Sequence, residues 1–562
     1  MLTGWRGVTP RRDVLAGLTV WAVLVPESLA YATIAGVSPV VGLYAAVPSL
    51  LLYALLGSSR HLIVAPMSAT AALSAVIVGG MAGGDPARYV ALTAAVALVT
   101  GLLALCAGLL RLGFLSAFIS EPVLKGFVVG LALTIIVGQV PALLGVEKGE
   151  GEFFAQAWHV LAGLGALDPL TTAIGIGSLA LVLVLRRWLP LLPGSLVAVA
   201  AGIGAVALFD LDGRGVEIVG EIRSGLPDLG LPAVGFADLT TLAGPALGVV
   251  LVGFAEGLGA ARTYAARHGY TVDPDTELVG LGGANLGAGL ASGMVVNGSL
   301  SKTAVNGAAG ARSQLSSVVV AALTVVTLLL FTGLFEQLPE ATLAAVVIAA
   351  VIELVDLSSL RRFHRVWTAR LGRIHRGTAR TDFLGALAAL LGVLLLGTLP
   401  GLLVGVLVSL GLLVQRASRP YVPVLGRDTA GAWVDSAGGH TTTEEPGAVV
   451  LRVESGLFFA NAEQVRSRIV DLAGPGVHTV VLAAATIPTI DVTAATMLDE
   501  LADRLRAGGV ELRIAHPIGQ VRDVLRTAAS DDREVPVHAT VDDALAATRD
   551  REDPASGRAT EG

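Results

Sequence analysis

A lysine lies inside a hydroxyl-rich stretch of an otherwise strongly apolar sequence. The stretch NGSLSKTAVNG (297–307) places Lys302 between Ser301 and Thr303. A charge near the centre of a bilayer is costly and usually marks a functional site. An ammonium group and hydroxyl groups can all donate hydrogen bonds, so the stretch has the chemistry of an anion-binding site.

A second polar break occurs in the first half of the chain. The stretch SSRHLIVAPMSATAAL (58–73) contains Pro66, followed by Ser68 and Thr70. Both stretches predict a short extended piece and then a small or hydroxyl residue that can begin a helix. The N-terminus of a helix attracts anions through its free N–H groups and its partial positive charge. Two such ends facing each other, with Lys302 between them, would form an electropositive pocket.

Lys302 taken alone has a simpler explanation. A single lysine in a membrane helix can extend its ammonium group to the interface, and the glycines around it can serve helix packing. With the matching break at Pro66, this explanation requires two coincidences. Interrupted segments at corresponding positions of two halves instead indicate an inverted repeat with a binding site near the membrane midplane.

Three acidic residues occur in apolar segments, where acids tend to face a cavity or a charged partner. Burial of Glu256 disfavours its charged form while a nearby lysine favours it, so we predict that Glu256 takes up and releases a proton. Glu27 follows a helix-breaking proline and could contact substrate, couple protons or only pair with a neighbour. Glu353 lies near a helix end beside Arg361, which explains it without a functional role.

The elements that carry these residues are predicted to be membrane helices. Of 562 residues, 54% are hydrophobic and 15% are charged, whereas soluble proteins have about 25% charged residues. Apolar blocks recur from near Val14 to about Leu413, and at about 20 residues for each crossing they leave room for about fourteen segments. Basic residues concentrate in the even-numbered connections, so both termini are expected in the cytoplasm.

The composition changes after residue 418. Residues 419–437 are polar and rich in proline and glycine, which predicts a linker after a membrane domain that spans 1–418. Residues 438–548 alternate short apolar runs with amphipathic helices, which predicts a small α/β domain with strands at AVVLRVES, GLFFA, HTVVLAAA and VELRIAH. Residues 549–562 have the composition of a disordered tail.

The sequence resembles the SulP family of anion transporters. The block AGLTVWAVLVPESLAYATIAGVSPVVGLYAA, the two broken stretches and GFAEGLGAARTYAARHGY carry the resemblance, which continues into a C-terminal STAS domain and covers nearly the whole chain. The resemblance implies a polytopic α-helical membrane protein with fourteen segments in two inverted seven-helix repeats. In this fold, also seen in uracil permeases, a core domain that carries the site moves against a gate domain. Segments 3 and 10 are the broken helices, and segments 1 and 8 lie beside them.

Carried onto this chain, the resemblance implies a substrate site and two proton-coupling residues. The implied substrate-binding residues are Glu27, Tyr31, Pro66, Ser68, Ala69, Thr70, Ser301, Lys302 and Thr303. The implied proton-coupling residues are Glu256 and Glu27. Many family members have glutamine in place of Glu27 and arginine in place of Lys302. The sodium-coupled branch has an aspartate and a threonine where this chain has Glu256 and Ala260, so we favour coupling to protons over sodium.

These residues predict a secondary transporter rather than an enzyme. The resemblance implies sulfate uptake by an elevator-type movement, which we expect to be proton-coupled; transport or exchange of bicarbonate, a dicarboxylate or chloride, and channel-like conduction, stay open as alternatives. The sequence contains no HExxH motif, no clustered Cys/His set and no Walker loop, so we expect no cofactor, no metal and no nucleic acid. The resemblance implies a homodimer in the inner (cytoplasmic) membrane.

The predicted STAS domain differs from related soluble domains at one position. Those domains carry a phosphorylatable serine directly after an aspartate, whereas Val492 follows Asp491 in this chain. Asp491 and Thr493 are therefore interpreted as helix caps. This interpretation favours regulation through docking or dimer contacts over a phosphorylation switch.

Overall fold

A computed structural model of the chain describes residues 10–114, 120–147, 149, 151–189, 192–220, 222, 224–352, 355, 361, 378–437, 441–528 and 535–552. Glu353, most of the basic cluster from Arg361 to Arg380 and most of the predicted tail lie outside these residues. The chain divides into two compact units, Met1–Leu410 and Gly411–Gly562.

The first unit is built of apolar helices, two of which follow short strands. Its elements are α1 (Pro10–Ile34), α2 (Val40–Leu56), β1 (Ile63–Pro66), α3 (Ser68–Ala82), α4 (Pro86–Leu109), α5 (Glu121–Leu144), α6 (Phe153–Gly163), α7 (Pro169–Trp188), α8 (Gly194–Phe209), α9 (Phe236–His268), α10 (Pro274–Leu290), β2 (Val296–Ser299), α11 (Leu300–Ala308), α12 (Leu315–Leu330), α13 (Glu340–Val351), α14 (Thr378–Leu396) and the beginning of α15 (Thr398–Ser418), which continues past Leu410 into the second unit. Five of the described helices are long and apolar enough to cross a membrane: α1, α4, α5, α7 and α9.

Three helices of the first unit, α4, α7 and α10, begin at an aspartate followed by a proline. The Asp85 side chain accepts hydrogen bonds from the N–H groups of Ala87 and Arg88, and Pro86 occupies the first turn of α4. Asp168 begins α7 and Asp273 begins α10 in the same way. Such a carboxylate satisfies N–H groups that have no partner inside the helix, and proline in the first turn sacrifices no hydrogen bond.

Glycines allow α4 and α10 to approach until their backbones touch. A β-carbon built on Gly282 would lie 2.6 Å from the backbone nitrogen of Leu105, and one on Gly101 would lie 2.5 Å from that of Leu286. These separations are too short for any side chain. Helix α4 belongs to the first half of the unit and α10 to the second, so this contact joins the two halves through their backbones.

Strands β1 and β2 form an antiparallel pair inside the unit. The pairing places Ile63 opposite Ser299 and Pro66 opposite Val296, and all four residues are buried. Each strand leads directly into the next helix, β1 into α3 and β2 into α11. The predicted extended pieces at both breaks are therefore confirmed, and the antiparallel register places the strand ends that lead into α3 and α11 at opposite ends of the pair.

The first unit contains a second group of helices, formed by α5, α7, α13 and α14. Helix α13 packs on α5 and α7, and α14 packs on α5, whereas α4, α9 and α10 pack on one another around the strand pair.

The single cysteine, Cys106, lies on α4 with its side chain exposed on the surface of the unit.

The second unit contains a six-stranded sheet with helices packed on it. The sheet order is β4-β3-β5-β6-β7-β8; β5 to β8 run parallel, and β3 is antiparallel to both β4 and β5. Its elements are β3 (Val424–Arg427), β4 (Trp433–Asp435), β5 (Ala448–Arg452), α16 (Ala462–Leu472), β6 (Thr479–Ala483), α17 (Val492–Ala507), β7 (Glu511–Ala515), α18 (Gly519–Ala528), β8 (Val537–His538) and α19 (Val541–Glu552).

Three predicted boundaries in this unit need correction. Residues 419–437, predicted as a linker, contain β3 and β4, because β3 pairs with β5 and buries Leu425 although the stretch as a whole is rich in polar residues, proline and glycine. The stretch GLFFA is not a strand: the N–H groups of Phe458 and Phe459 donate to the side chains of Asn461 and Asp491 instead of to a neighbouring strand. Residues 549–552, predicted as the start of the tail, belong to α19.

Candidate functional site

The start of α11 is shaped by hydroxyl side chains. The Ser299 side chain accepts a hydrogen bond from the N–H of Lys302 at 3.2 Å and lies 3.1 Å from the Ser301 hydroxyl. Ser299 is thus the N-cap of α11, as the hydroxyl-rich sequence suggests. At the matching break, α3 begins at Ser68, and the Thr70 hydroxyl donates to the carbonyl of Met67 at 3.3 Å.

Residues of α11 bind directly to β1 of the other half. The Thr303 hydroxyl accepts a hydrogen bond from the N–H of Ile63 at 3.1 Å. The ammonium group of Lys302 donates to the carbonyl of Pro66 at 3.2 Å. The two breaks therefore form one constellation, although they are more than 230 residues apart in the sequence.

Lys302 forms a buried ion pair with Glu27. Its Nζ lies 2.7 Å from Oε2 of Glu27 and 4.8 Å from the centre of the Tyr31 ring. Tyr31 donates a hydrogen bond to the same carboxylate oxygen at 3.3 Å. Only 1% of Lys302 is exposed, so its ammonium group does not extend to an interface.

The ion pair changes the predicted electrostatics of the pocket. Lys302 was expected to supply a positive charge, but Glu27 neutralises that charge as the site stands. Among the roles left open for Glu27, pairing with a neighbour is therefore observed. The free N–H groups and the hydroxyls at the starts of α3 and α11 remain as attractive groups for an anion.

The other predicted substrate residues fall into two groups. Ser68, Ala69 and Thr70 are buried in the first turn of α3, with Ala69 inside an apolar cluster. Ser301, in contrast, is exposed.

Glu256 contacts the strand pair and not Lys302. Its Oε2 accepts a hydrogen bond from the side-chain nitrogen of Asn297 at 3.4 Å, and Asn297 belongs to β2. Asn297 is fully buried, and its Oδ1 has no hydrogen-bond partner among the described residues. A cavity of about 10 Å³ beside Asn297 is lined also by Tyr53 and Glu277, which is room for about one water. Ala260, one turn after Glu256, is buried and offers no side-chain oxygen.

Glu277 is a buried carboxylate that sequence reasoning missed. It accepts hydrogen bonds from the Tyr53 hydroxyl at 2.7 Å and from the N–H and the hydroxyl of Ser58 at 2.8 Å each. The N–H of Ser59 also donates to it at 3.0 Å. Glu277 thereby fixes the turn that leads into β1. Its position in the first turn of α10 made it look like an ordinary helix-start acid, and its donors are more than 200 residues away in sequence.

In the second unit, Asp491 begins α17 as predicted. Its Oδ1 accepts a hydrogen bond from the N–H of Ala494 at 2.8 Å, and its Oδ2 accepts one from the N–H of Phe459 at 2.9 Å. Thr493, the other predicted cap, lies inside the helix with its side chain exposed.

In the first unit, α3 and α11 each follow a short buried strand, and the paired strands lie beside a polar constellation. This arrangement defines the class of the protein, a polytopic membrane transporter with a C-terminal α/β domain. Residues 11–371 match the model of the sulfate permease family, and residues 440–544 match that of the STAS domain. The chain belongs to the sulfate permease family of anion transporters, as its sequence predicts.

Similar proteins match this chain over most of its length. A probable sulfate transporter of Mycobacterium tuberculosis is 38% identical over 527 residues, which cover 93% of this chain and 92% of the relative. The structure of the murine Slc26a9 anion transporter in the inward-facing state matches with a TM-score of 0.85 at 20% identity, covering 97% of this chain and 92% of that one. The transmembrane domain of the cyanobacterial bicarbonate transporter BicA matches with a TM-score of 0.61 at 23% identity, covering 70% of this chain and 97% of that one. These likenesses confirm the predicted fold class.

Proposed function

We propose that the protein is a proton-coupled transporter that takes up sulfate. The observation that carries this proposal is the Lys302–Glu27 pair, in which a lysine of the first turn of α11 also contacts Pro66, at the strand end that leads into α3. An ammonium group, helix N-termini and hydroxyl groups are the groups that bind oxyanions in proteins. The name of the mycobacterial relative supports sulfate as the first anion to test.

Glu27 gives a reason for proton coupling. As long as its carboxylate is charged, Glu27 competes with any incoming anion for the Lys302 ammonium group. Protonation of Glu27 would release Lys302 and leave the sulfate-loaded site with one net negative charge instead of two. A lower net charge is easier to carry through a region of low dielectric. Uptake of the anion would therefore favour uptake of a proton.

Glu256 is the second proton-coupling residue in this proposal. It is partly buried on α9, and its contact with Asn297 joins it to β2, two residues before the N-cap of α11. A change in its protonation would alter that hydrogen bond and thus act on the strand pair. Protonation of Glu27 would then change the net charge of the anion site. Protonation of Glu256 would act on the site through the β1–β2 pair.

The strand pair also supports an elevator-type movement. Because β1 and β2 are hydrogen-bonded and Thr303 binds Ile63, α3 and α11 would move as one body. The helix group around α5, α7 and α13 is a suitable stationary partner. We further propose a homodimer in the inner membrane with both termini in the cytoplasm, as the distribution of basic residues favours.

Uptake of radiolabelled sulfate into proteoliposomes tests the function. An inward proton gradient should drive accumulation above equilibrium, and collapsing the gradient with a protonophore should abolish it. Accumulation without a gradient would contradict proton coupling, and passive flux in both directions would indicate a channel. Replacement of sodium by potassium should leave uptake unchanged.

A monovalent anion is the second candidate substrate, and the neutral ion pair favours it. A site that is uncharged before binding can accept bicarbonate or chloride without a proton, because only one negative charge is added. Competition against labelled sulfate by bicarbonate, chloride and a dicarboxylate, measured at two pH values, separates these substrates. Stronger competition by bicarbonate at both pH values would replace sulfate in the proposal.

A further inference from the structure

A second concentration of positive charge lies at the end of the membrane unit where α1 begins. A cavity of about 410 Å³ is lined by the side chains of Arg12, Arg60, His61, His268 and Arg312. These residues come from four places: the start of α1, the turn after α2, the end of α9 and the turn after α11. We call this the basic cavity.

The guanidinium groups of the basic cavity are available to a ligand. Among the described residues, Arg12, Arg60 and Arg312 have no ion-pair partner, and no carboxylate lines the cavity. The Asp13 carboxylate is next to it, but accepts hydrogen bonds from the N–H groups of Arg312 at 2.7 Å and Ser313 at 3.1 Å. Because three guanidinium groups and one carboxylate lie in this region, its net charge is positive.

The wall of the basic cavity is held in place before any ligand arrives. Nε2 of His61 lies 3.1 Å from the carbonyl of Ala311, and Nδ1 lies 2.9 Å from the Tyr270 hydroxyl. Because a carbonyl can only accept, Nε2 donates, which orients the ring. His61 also stacks on His268 with ring centres 4.1 Å apart, and Arg60 lies 4.8 Å over the ring of Tyr270. Preorganised walls reduce the entropy that binding costs.

The basic cavity is separate from the proposed transport site. Lys302 lies in the first turn of α11, whereas the cavity is lined by Gly307, Gly310, Ala311 and Arg312 at the other end of that helix. Lys302, Glu27 and Glu256 are not among its lining residues. A ligand of the basic cavity would therefore be additional to the transported anion.

The chemistry of the cavity selects a phosphate group. Guanidinium groups bind phosphate oxygens with paired hydrogen bonds, and basic pockets between membrane helices bind phosphorylated head groups. Directly after Arg12, the apolar side chains of Val14, Leu15 and Leu18 are exposed by 39%, 61% and 42%. A lipid phosphate in the cavity would place its acyl chains along this apolar surface. We propose that the basic cavity binds the phosphate group of an anionic ligand, supplied by a phospholipid or by free phosphate.

Binding measurements on the full chain test this proposal and separate the two sources. Native mass spectrometry with dioleoyl phosphatidylglycerol and dioleoyl phosphatidylcholine counts bound lipid, and calorimetric titration with inorganic phosphate measures the free ion. In Arg60→Gln/Arg312→Gln, one phosphatidylglycerol site or the phosphate site should weaken by about tenfold or more, since two charge-assisted contacts are lost. The source is the ligand whose binding changes.

Two comparisons show whether charge alone explains the result. Arg111→Gln/Arg187→Gln removes the same charge from exposed arginines outside the cavity and should leave both ligands bound as in the parent. Arg60→Lys/Arg312→Lys keeps the charge but loses the paired geometry, so it should bind with intermediate affinity. Equal losses in the cavity and control variants would overturn the proposal. So would a parent protein that neither prefers phosphatidylglycerol to phosphatidylcholine nor binds phosphate.

Discussion

Lys302 and Glu27 stabilise each other because neither charge is tolerated alone in a buried position. Removing one partner of a buried ion pair leaves an uncompensated charge and costs about 3–5 kcal/mol, whereas replacing both can be nearly neutral. A single substitution therefore mixes two effects, loss of stability and loss of anion binding. The pair needs a double variant to separate them.

We predict that Lys302→Ala loses most of its sulfate affinity and also unfolds at a lower temperature than the parent. In Lys302→Ala/Glu27→Gln the stability should return while the affinity stays low, because the ammonium group is still missing. Lys302→Arg should keep part of the affinity. Thermal unfolding in detergent and sulfate binding to the purified variants are the measurements. If the double variant regained sulfate affinity, Lys302 would have only a structural role.

The two glutamates should differ in how they couple protons. Glu27→Gln mimics the protonated acid and frees Lys302 permanently, so sulfate binding should become less dependent on pH while the proton gradient loses most of its effect on uptake. Glu256→Gln should keep sulfate exchange but also lose acceleration by an inward proton gradient. Glu336→Gln, in a loop away from the site, is the matched control. If uptake by both variants still rose with external acidity as in the parent, coupling would lie elsewhere.

Glu277 provides a prediction on stability. Glutamine at this position keeps the shape but replaces an accepting oxygen by a donor, so at least one of the buried donors on Tyr53, Ser58 and Ser59 loses its partner. An unsatisfied buried donor costs about 1–3 kcal/mol. We expect Glu277→Gln to lower the unfolding temperature more than Tyr53→Phe, which removes a single hydrogen bond. Equal effects would mean that the Tyr53 contact accounts for the whole role of Glu277.

Among the residues of the candidate site, the sequence predicts only those that interrupt a local pattern. Lys302 and the breaks at Pro66 and Ser299 were found because polar residues interrupt apolar runs. The Lys302–Glu27 pair joins positions 275 residues apart, and Glu277 binds the turn between α2 and β1, 218 residues away. Neither partner leaves a periodic signal in the sequence, so these contacts required the fold.

Close packing of α4 on α10 gives a prediction about whole helices. A methyl group on Gly282 would lie 2.6 Å from the backbone nitrogen of Leu105, so Gly282→Ala must push the helices apart. Overpacking of this kind costs about 1–3 kcal/mol. Gly204→Ala on α8 meets open space and should be neutral or slightly stabilising. Thermal unfolding of the two variants is the comparison, and equal unfolding temperatures would contradict this account of the contact.

Helices were easier to predict than strands in this chain. Long apolar runs after an Asp-Pro start mark α4 and α7 in the sequence. The sequence predicts a linker at β3 and β4 because each strand is short and lies among proline, glycine and polar residues, and in β3 only Leu425 and Gly426 are buried. Such edge strands are specified by the sheet they join and not by their own composition.

The division into two units predicts that the membrane unit works alone. Strands β3 and β4 belong to the second unit, so truncation after Ser418 removes that sheet cleanly, whereas truncation before Ala448 would leave two strands without their partner β5. We expect residues 1–418 to insert into membranes and to bind sulfate with an affinity near that of the full chain. Size-exclusion chromatography and sulfate binding are the measurements. Loss of binding in a monodisperse truncation would show that the second unit contributes to the site.

The pairing of β1 with β2 has a consequence for biosynthesis. Pro66 and Val296 are partners in the pair but are separated by 230 positions in the chain. At about 5–20 residues per second, the ribosome needs roughly 10–50 seconds to make the second strand after the first. During this interval the N–H and carbonyl groups of β1 await their partners, and unpaired backbone is costly in lipid. Newly made chains should therefore pass through a stage in which the first half is inserted but unfinished, and protease sensitivity around residues 58–66 should disappear only after residue 299 has left the ribosome.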